Sequence, residues 1–413
     1  MTVTICVYVL CAAVMLWGCR FSGFGKKFHE DYLSLDATKS LCGISALLII
    51  FHHVSQESAF QDVTKELFFF NDIGYMLVTI FFFCSGYGLT VSADKNGKYL
   101  DGFARKRLPV VLVPFFVNCI VFAVYAAVTG SPIARVLLGV LGLVQVNPNA
   151  WYPIVLFLLY LVFLFANRHM KSKSARVATY FIACFAMISI FCVSGHFAWW
   201  SGKPGWWLSG SGFAKAAWWK QEKVFWFNGE WWVNSCIAFG IGAVFGAWKD
   251  SVTSWLKRGY WVKLIISIAI FVFFLIRLKR MKAQGGYWTE FGWPSPRIGD
   301  KFLCSLVNLP VSAFFILSLI MLSMKFQTVN PFTRFMGKIT YETYLYGPLA
   351  LWAFEFLINR DGKPYAAEAG HWNLGLFTLC VLIVSVLLGW VMNQLDSRIV
   401  KRLQKKLYLP ERQ

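Results

Sequence analysis

The stretch "KSLCGISALLIIFHHVSQ", Lys39 to Gln56, closes an apolar run with two adjacent histidines. Imidazole titrates near neutrality, so a histidine held by an apolar helix is a natural general base. Helix geometry separates the two rings. At about 100° per residue, Cys42 and His53 lie about 20° apart, Lys39 and His53 about 40° apart, and His52 points about 100° away from His53. His53 therefore shares a face with Cys42 and roughly with Lys39. With a rise of about 1.5 Å per residue, His53 sits on the order of 20 Å along the helix from Lys39. The plainer reading is a histidine at headgroup level, hydrogen-bonded to a loop, and helix geometry alone leaves both readings open.

Such a run needs a membrane around it. The chain has 413 residues, is 58% hydrophobic and only 15% charged, with a mean hydropathy of +0.56, whereas soluble domains carry roughly a quarter charged residues. Apolar segments near the roughly 20 residues needed to cross a bilayer recur throughout. The sequence predicts an all-α, polytopic transmembrane helix bundle of about eleven spans: 2–18, 40–56, 74–92, 109–129, 150–167, 178–196, 231–248, 261–277, 302–323, 339–358 and 372–393. The segment 133–146 is too short to span upright and reads as re-entrant or interfacial.

The loops set the orientation. "CRFSGFGKKFHED", "SADKNGKYLDGFARKRL", "NRHMKSKSAR", "KDSVTSWLKRGYWVK", "MKFQTVNPFTRFMGK" and the tail from Asp396 are all basic. They share the cytoplasmic side if the N-terminus is outside and the C-terminus inside. "RLKRMKAQGG", from Arg277, is the exception and falls outside. No basic residue precedes the first span, while Arg20, Lys26 and Lys27 follow it. That pattern predicts an uncleaved span.

The net charge of +20 is explained by these loops and by anionic headgroups of the bilayer, so no nucleic-acid partner is expected. The 11 cysteines fall mostly in apolar segments without a C-x-x-C pair, which supports neither a disulfide framework nor a metal site. The predicted outside loop 197–230 packs tryptophans among Gly, Ser and Lys. It reads as an interfacial aromatic belt or as a platform for sugar rings.

"LDATKSLCGISALLIIFHHVSQ" resembles the opening signature of the acyltransferase-3 family, integral membrane O-acyltransferases that modify carbohydrates and some other acceptors. That signature has a basic residue, ten residues, then His. Here the His falls on His53 and the basic position on Cys42, a departure: either Lys39, three residues earlier on nearly the same face, supplies the charge, or the function of that position is altered. "TIFFFCSGYGLTVS", "YLDGFARKRLPVVLVPFF", "NAWYPIVLFLLYLVF", "EWWVNSCIAFGIGAVFGAW" and "FMGKITYETYLYGPLAL" are similar to later family elements, in the family's order. The likeness covers roughly 35–395. It divides the chain into an added N-terminal span and basic loop (1–30), a ten-span family-like domain (31–398) and a basic cytoplasmic tail (399–413).

The resemblance implies acyl transfer to a hydroxyl, with acetyl-CoA as donor and no metal. His53 is then the general base, with His52 as its competing neighbour. Ser85 would orient the base or donate to the oxyanion, unless its hydroxyl bonds back to its own helix. Lys39, Arg105, Lys106 and Arg107 are placed to hold donor phosphates, although the trio also serves plain topology. Tyr87, Glu230, Trp231 and Trp232 are the acceptor-binding candidates, and Gly86 permits close backbone approach. Tyr341, Tyr344 and Tyr346 read as core residues, with room for one of them near the site. His196 and His371 read as interfacial. The expected acceptor is an extracytoplasmic carbohydrate or glycolipid, and the expected location a bacterial plasma membrane. A transporter or flippase for a lipid-linked glycan is the alternative. A membrane-bound O-acyltransferase of the other in-membrane-histidine family, and a non-enzymatic sensor, fit less well.

Overall fold

The computed structural model describes residues 2–56, 68–96, 99–147, 149–193, 234–285, 298–355, 359–360, 363–364 and 366–407. Thirteen α-helices run through these residues: α1 (Thr2–Leu16), α2 (Leu35–Ser55), α3 (Gly74–Lys95), α4 (Phe103–Val128), α5 (Ile133–Val140), α6 (Trp151–His169), α7 (Lys173–Val193), α8 (Ile237–Ala247), α9 (Lys249–Lys257), α10 (Tyr260–Gly285), α11 (Ile298–Ser323), α12 (Pro331–Ala353) and α13 (Ala366–Leu407). The fold is an all-α, polytopic membrane bundle. Eight helices are long and apolar enough to cross a bilayer, namely α2, α3, α4, α6, α7, α10, α11 and α13, while α1 and α8 are shorter apolar helices. α12 is long but interrupted by polar residues, and it begins at Pro331 because Asn330 and Thr333 form a reciprocal capping box there.

Several expected loops are partly helical, and Arg105, Lys106 and Arg107, expected in a loop, lie near the start of α4. The basic residues after Arg277 continue α10 to Gly285, and "KDSVTSWLK" forms α9. The tail from Asp396 extends α13 to Leu407, because no Gly or Pro interrupts it before Pro410. The short segment at 133 forms an eight-residue helix, α5, followed by turns.

The contacts sort the chain into two units, residues 1–84 with 318–399 and residues 85–317 with 400–413. In the first unit α2 and α12 make the most extensive helix pair. A Cβ on Gly337 would overlap the Lys39 backbone, and one on Gly43 would lie 2.7 Å from the Gly337 nitrogen. Two glycines therefore let the helices touch backbone to backbone, the packing that holds helices together in lipid. Below this crossing Leu47, Ile50, Phe51 and Val54 of α2 join Met336, Ile339 and Leu351 of α12 and Phe377 and Val381 of α13. Ser34 caps α2, accepting from the Ala37 amide at 3.2 Å.

α1 is built into this unit. Asn330 Nδ2 reaches the carbonyls of Val14, Met15 and Trp17, which are orphaned at the helix end. Arg20–Phe21 (β1) pairs antiparallel with Phe326–Gln327 (β2). The Lys325 ammonium donates to the carbonyls of Gly23, Gly25 and Lys27.

In the second unit α6 packs on α7 and α7 on α8. A Cβ on Gly86 would collide with the Phe239 carbonyl, so Gly86 brings α3 against α8 as its sequence context predicts. Asp94 and Lys173 form an ion pair at 2.6 Å.

Candidate active site

His53 lies near the end of α2, half-buried. It lines a narrow apolar crevice with Ala46, Ile49 and Ile50 of its own helix and Thr343, Tyr344, Gly347 and Leu351 of α12. Its ring hydrogen-bonds the Gln56 side chain, one turn on. Tyr344 and Tyr346 are buried, as core residues are; the Tyr344 ring meets Phe81 of α3 edge-on, with centroids 6.2 Å apart.

His52 is held differently. Its Nδ1 is 2.8 Å from the Phe70 carbonyl, and a Cβ on Gly74 would collide with its ring. The two imidazoles are 5.2 Å apart at 49°. His52 thus fastens the helix end to the segment before α3, while His53 faces α12.

Lys39 is exposed, and its backbone forms the contact with Gly337. Cys42 is hydrogen-bonded side chain to side chain with Cys84 of α3, and Cys84 Sγ is also 3.9 Å from the Thr38 carbonyl. All cysteines are free thiols. The position that aligns with the family's basic residue is therefore a thiol beside a thiol.

Ser85, the first residue of the second unit, hydrogen-bonds Tyr160 of α6. Tyr160 also meets Phe103, at the start of α4, edge-on with ring centroids 5.8 Å apart. Arg105 and Lys106 are exposed, whereas Arg107 is partly buried and its Nε donates to Tyr99 Oη at 2.9 Å. The Lys106 carbonyl accepts from Gln404 at 3.0 Å. Tyr87 is 8% exposed, and its carbonyl lies where Gly246 makes its close approach to α3.

His53 on α2 and Arg107 near the start of α4 each lie in a stretch that carries the sequence resemblance. The family model described as an acyltransferase domain, that of the acyltransferase-3 family, matches residues 34–394. The chain belongs to the acyltransferase-3 family. It is a membrane acyltransferase. No curated protein and no solved structure matches it.

In this acyltransferase-3 chain the match begins at Ser34, the cap of α2, and ends within α13. Two features of the domain escape sequence reasoning. One is Tyr160, whose partners come from α3 and α4. The other is Glu342 of α12, 5% exposed, which accepts from Asn393 Nδ2 at 3.0 Å and has Asp396 as an electrostatic neighbour. A lone acid within "ITYETYLYG" was the available signal, since ionisable residues inside spans face polar interiors. Among the described residues no group of three or more His, Cys, Asp or Glu is placed to hold a metal. Glu230, Trp231, Trp232, His196 and the tryptophan loop lie outside the described residues.

Proposed function

We propose that this acyltransferase moves an acetyl or similarly short acyl group from cytoplasmic acyl-CoA to a hydroxyl of an extracytoplasmic carbohydrate, with His53 as general base. The observation that carries the reading is the division of labour at the end of α2: His52 is tied to the Phe70 carbonyl, while His53 opens on the crevice against α12. In the reaction the neutral imidazole takes the proton of the acceptor hydroxyl as its oxygen attacks the thioester carbonyl. The tetrahedral intermediate then collapses, the C–S bond breaks, and the CoA thiolate leaves with a proton returned from the imidazolium. Hydrogen-bond donors facing the developing oxyanion lower this barrier, a role that suits a hydroxyl such as that of Ser85.

The donor carries phosphates, and Arg107, near the start of α4, is held by its Nε–Tyr99 hydrogen bond. Its terminal amino groups match two phosphate oxygens in a bidentate grip; Arg105, Lys106 and Lys39 add surrounding positive charge. An acceptor sugar stacks on aromatic faces, the part given to Trp231, Trp232 and Tyr87, with Glu230 taking sugar hydroxyls. The N-terminus is assigned outside and the C-terminus to the cytoplasm of a bacterial plasma membrane. The test is mass spectrometry of cell-envelope glycans from cells with and without the gene. An acetyl-sized or succinyl-sized increment that depends on the gene supports the reading. Glycans that move across the membrane in a gene-dependent way, yet never carry an acyl group, contradict it and favour transport.

A further inference from the structure

α2 and α12 run in the same direction where they meet. Thr333 Oγ1 donates to Ser40 Oγ at 3.1 Å, and Gly337 and Gly43 are in contact one turn further on. His53 is ten residues beyond Gly43, and Gly347 is ten residues beyond Gly337. Equal steps on two parallel helices bring Gly347 level with His53, and both residues line the crevice between the helices.

The crevice is narrow, and Gly347 gives it room at that level. At Gly43 and Gly337 a Cβ would collide with the facing helix, whereas nothing lies within 4 Å of where a Gly347 Cβ would stand. Gly347 is nevertheless buried. The open space beside it is the size of one methyl group. Its surroundings are alkyl: Ala46, Ile49 and Ile50 on α2 and Leu351 on α12. Among the described residues no Lys or Arg lines the crevice. A methyl group entering it leaves water for an apolar wall. A carboxylate entering it is buried without a cation to pair with.

We propose that the space at Gly347, level with His53, is the acyl subsite: it takes the methyl of an acetyl donor, Gly347 and Ile49 limit the chain length, and the apolar walls reject a carboxylate-bearing acyl group such as succinyl. The inference rests on the reading of His53 as general base and of acyl-CoA as donor, and it narrows that reading to a short, uncharged acyl group.

The test uses the full chain purified in detergent, with initial rates of transfer to envelope glycan from acetyl-, propionyl-, butyryl- and succinyl-CoA. Wild type is expected to lose about tenfold or more in kcat/KM for each added methylene and to transfer succinyl at least about a hundredfold more slowly than acetyl. Ile49→Ala shortens the wall and should raise butyryl transfer about tenfold or more, while succinyl, of the same chain length, stays at background. Ile49→Val is the smaller cut, with less cost to folding, and should shift the preference toward propionyl. Such gains do not arise from misfolding. Gly347→Ala fills the methyl space and should lower acetyl transfer at least about tenfold, while the Kd for CoA, which carries no acyl group, stays within about twofold by calorimetry. Gly347 precedes Pro348, where a Cβ also crowds the backbone, so the two Ile49 variants decide the matter if Gly347→Ala melts early. Succinyl transfer at the acetyl rate, or an unchanged chain-length preference in both Ile49 variants, overturns the subsite and leaves the acyltransfer reading standing. Wild-type protein that transfers no acyl group from any of the four esters overturns that reading and the subsite together.

Discussion

His52 Nδ1 stands 2.8 Å from the carbonyl oxygen of Phe70, so the first histidine of the pair closes the gap between the end of α2 and the start of α3. His52→Ala is expected to lose about 1–2 kcal/mol of stability, the cost of a buried carbonyl left unpaired, visible as a lower melting temperature in detergent. Turnover per folded molecule should stay within about threefold of wild type. A hundredfold loss of turnover with unchanged melting would move the base from His53 to His52.

Gly337 and Lys39 are in backbone contact where α12 crosses α2. Gly337→Ala forces the helices apart and should destabilise the protein by about 1–3 kcal/mol, with less folded material recovered from membranes. Gly88 has open space where its Cβ would stand, so Gly88→Ala is the matched control and should express and melt like wild type. Equal behaviour of the two variants would contradict the close crossing.

Asp396 is 1% exposed, and among the described residues neither carboxylate oxygen has a hydrogen-bond partner. A buried charge without a partner is costly. Asp396→Asn removes the charge at nearly constant shape and is expected to raise the melting temperature at neutral pH, equivalent to about 1–3 kcal/mol. A lower melting temperature would show that the carboxylate has a stabilising partner in the working protein.

Cys42 and Cys84 are hydrogen-bonded thiols on neighbouring helices. Mild oxidation with copper–phenanthroline should join them, read as one cross-linked peptide pair by mass spectrometry under non-reducing conditions. Disulfide formation needs close Cβ atoms, so a thiol pair that stays fully reduced under these conditions would mean the two side chains point apart. Cys42→Ser should abolish the cross-link.

Features set by local periodicity were legible in the sequence. Runs near bilayer length became helices, the 100° offset between His52 and His53 became two different environments, and Gly86 became a close helix contact. Boundaries were harder where charge followed an apolar run, as at Arg277 and Asp396, because a helix continues through basic residues until Gly, Pro or a competing cap stops it. The pairings were not legible. Cys42 with Cys84, Ser85 with Tyr160, and Glu342 with Asn393 each join residues of two different helices. No single-helix pattern specifies which neighbour a side chain will meet. The departure at Cys42 was visible as a missing charge; its partner thiol was not.

The most direct measurement of the central claim is acetyl transfer from acetyl-CoA to envelope glycan by the purified full chain, comparing wild type with His53→Ala at matched folded protein. The account predicts that His53→Ala loses at least about a hundredfold in rate while its melting temperature stays near that of wild type. Wild-type rates from the His53→Ala protein would contradict it.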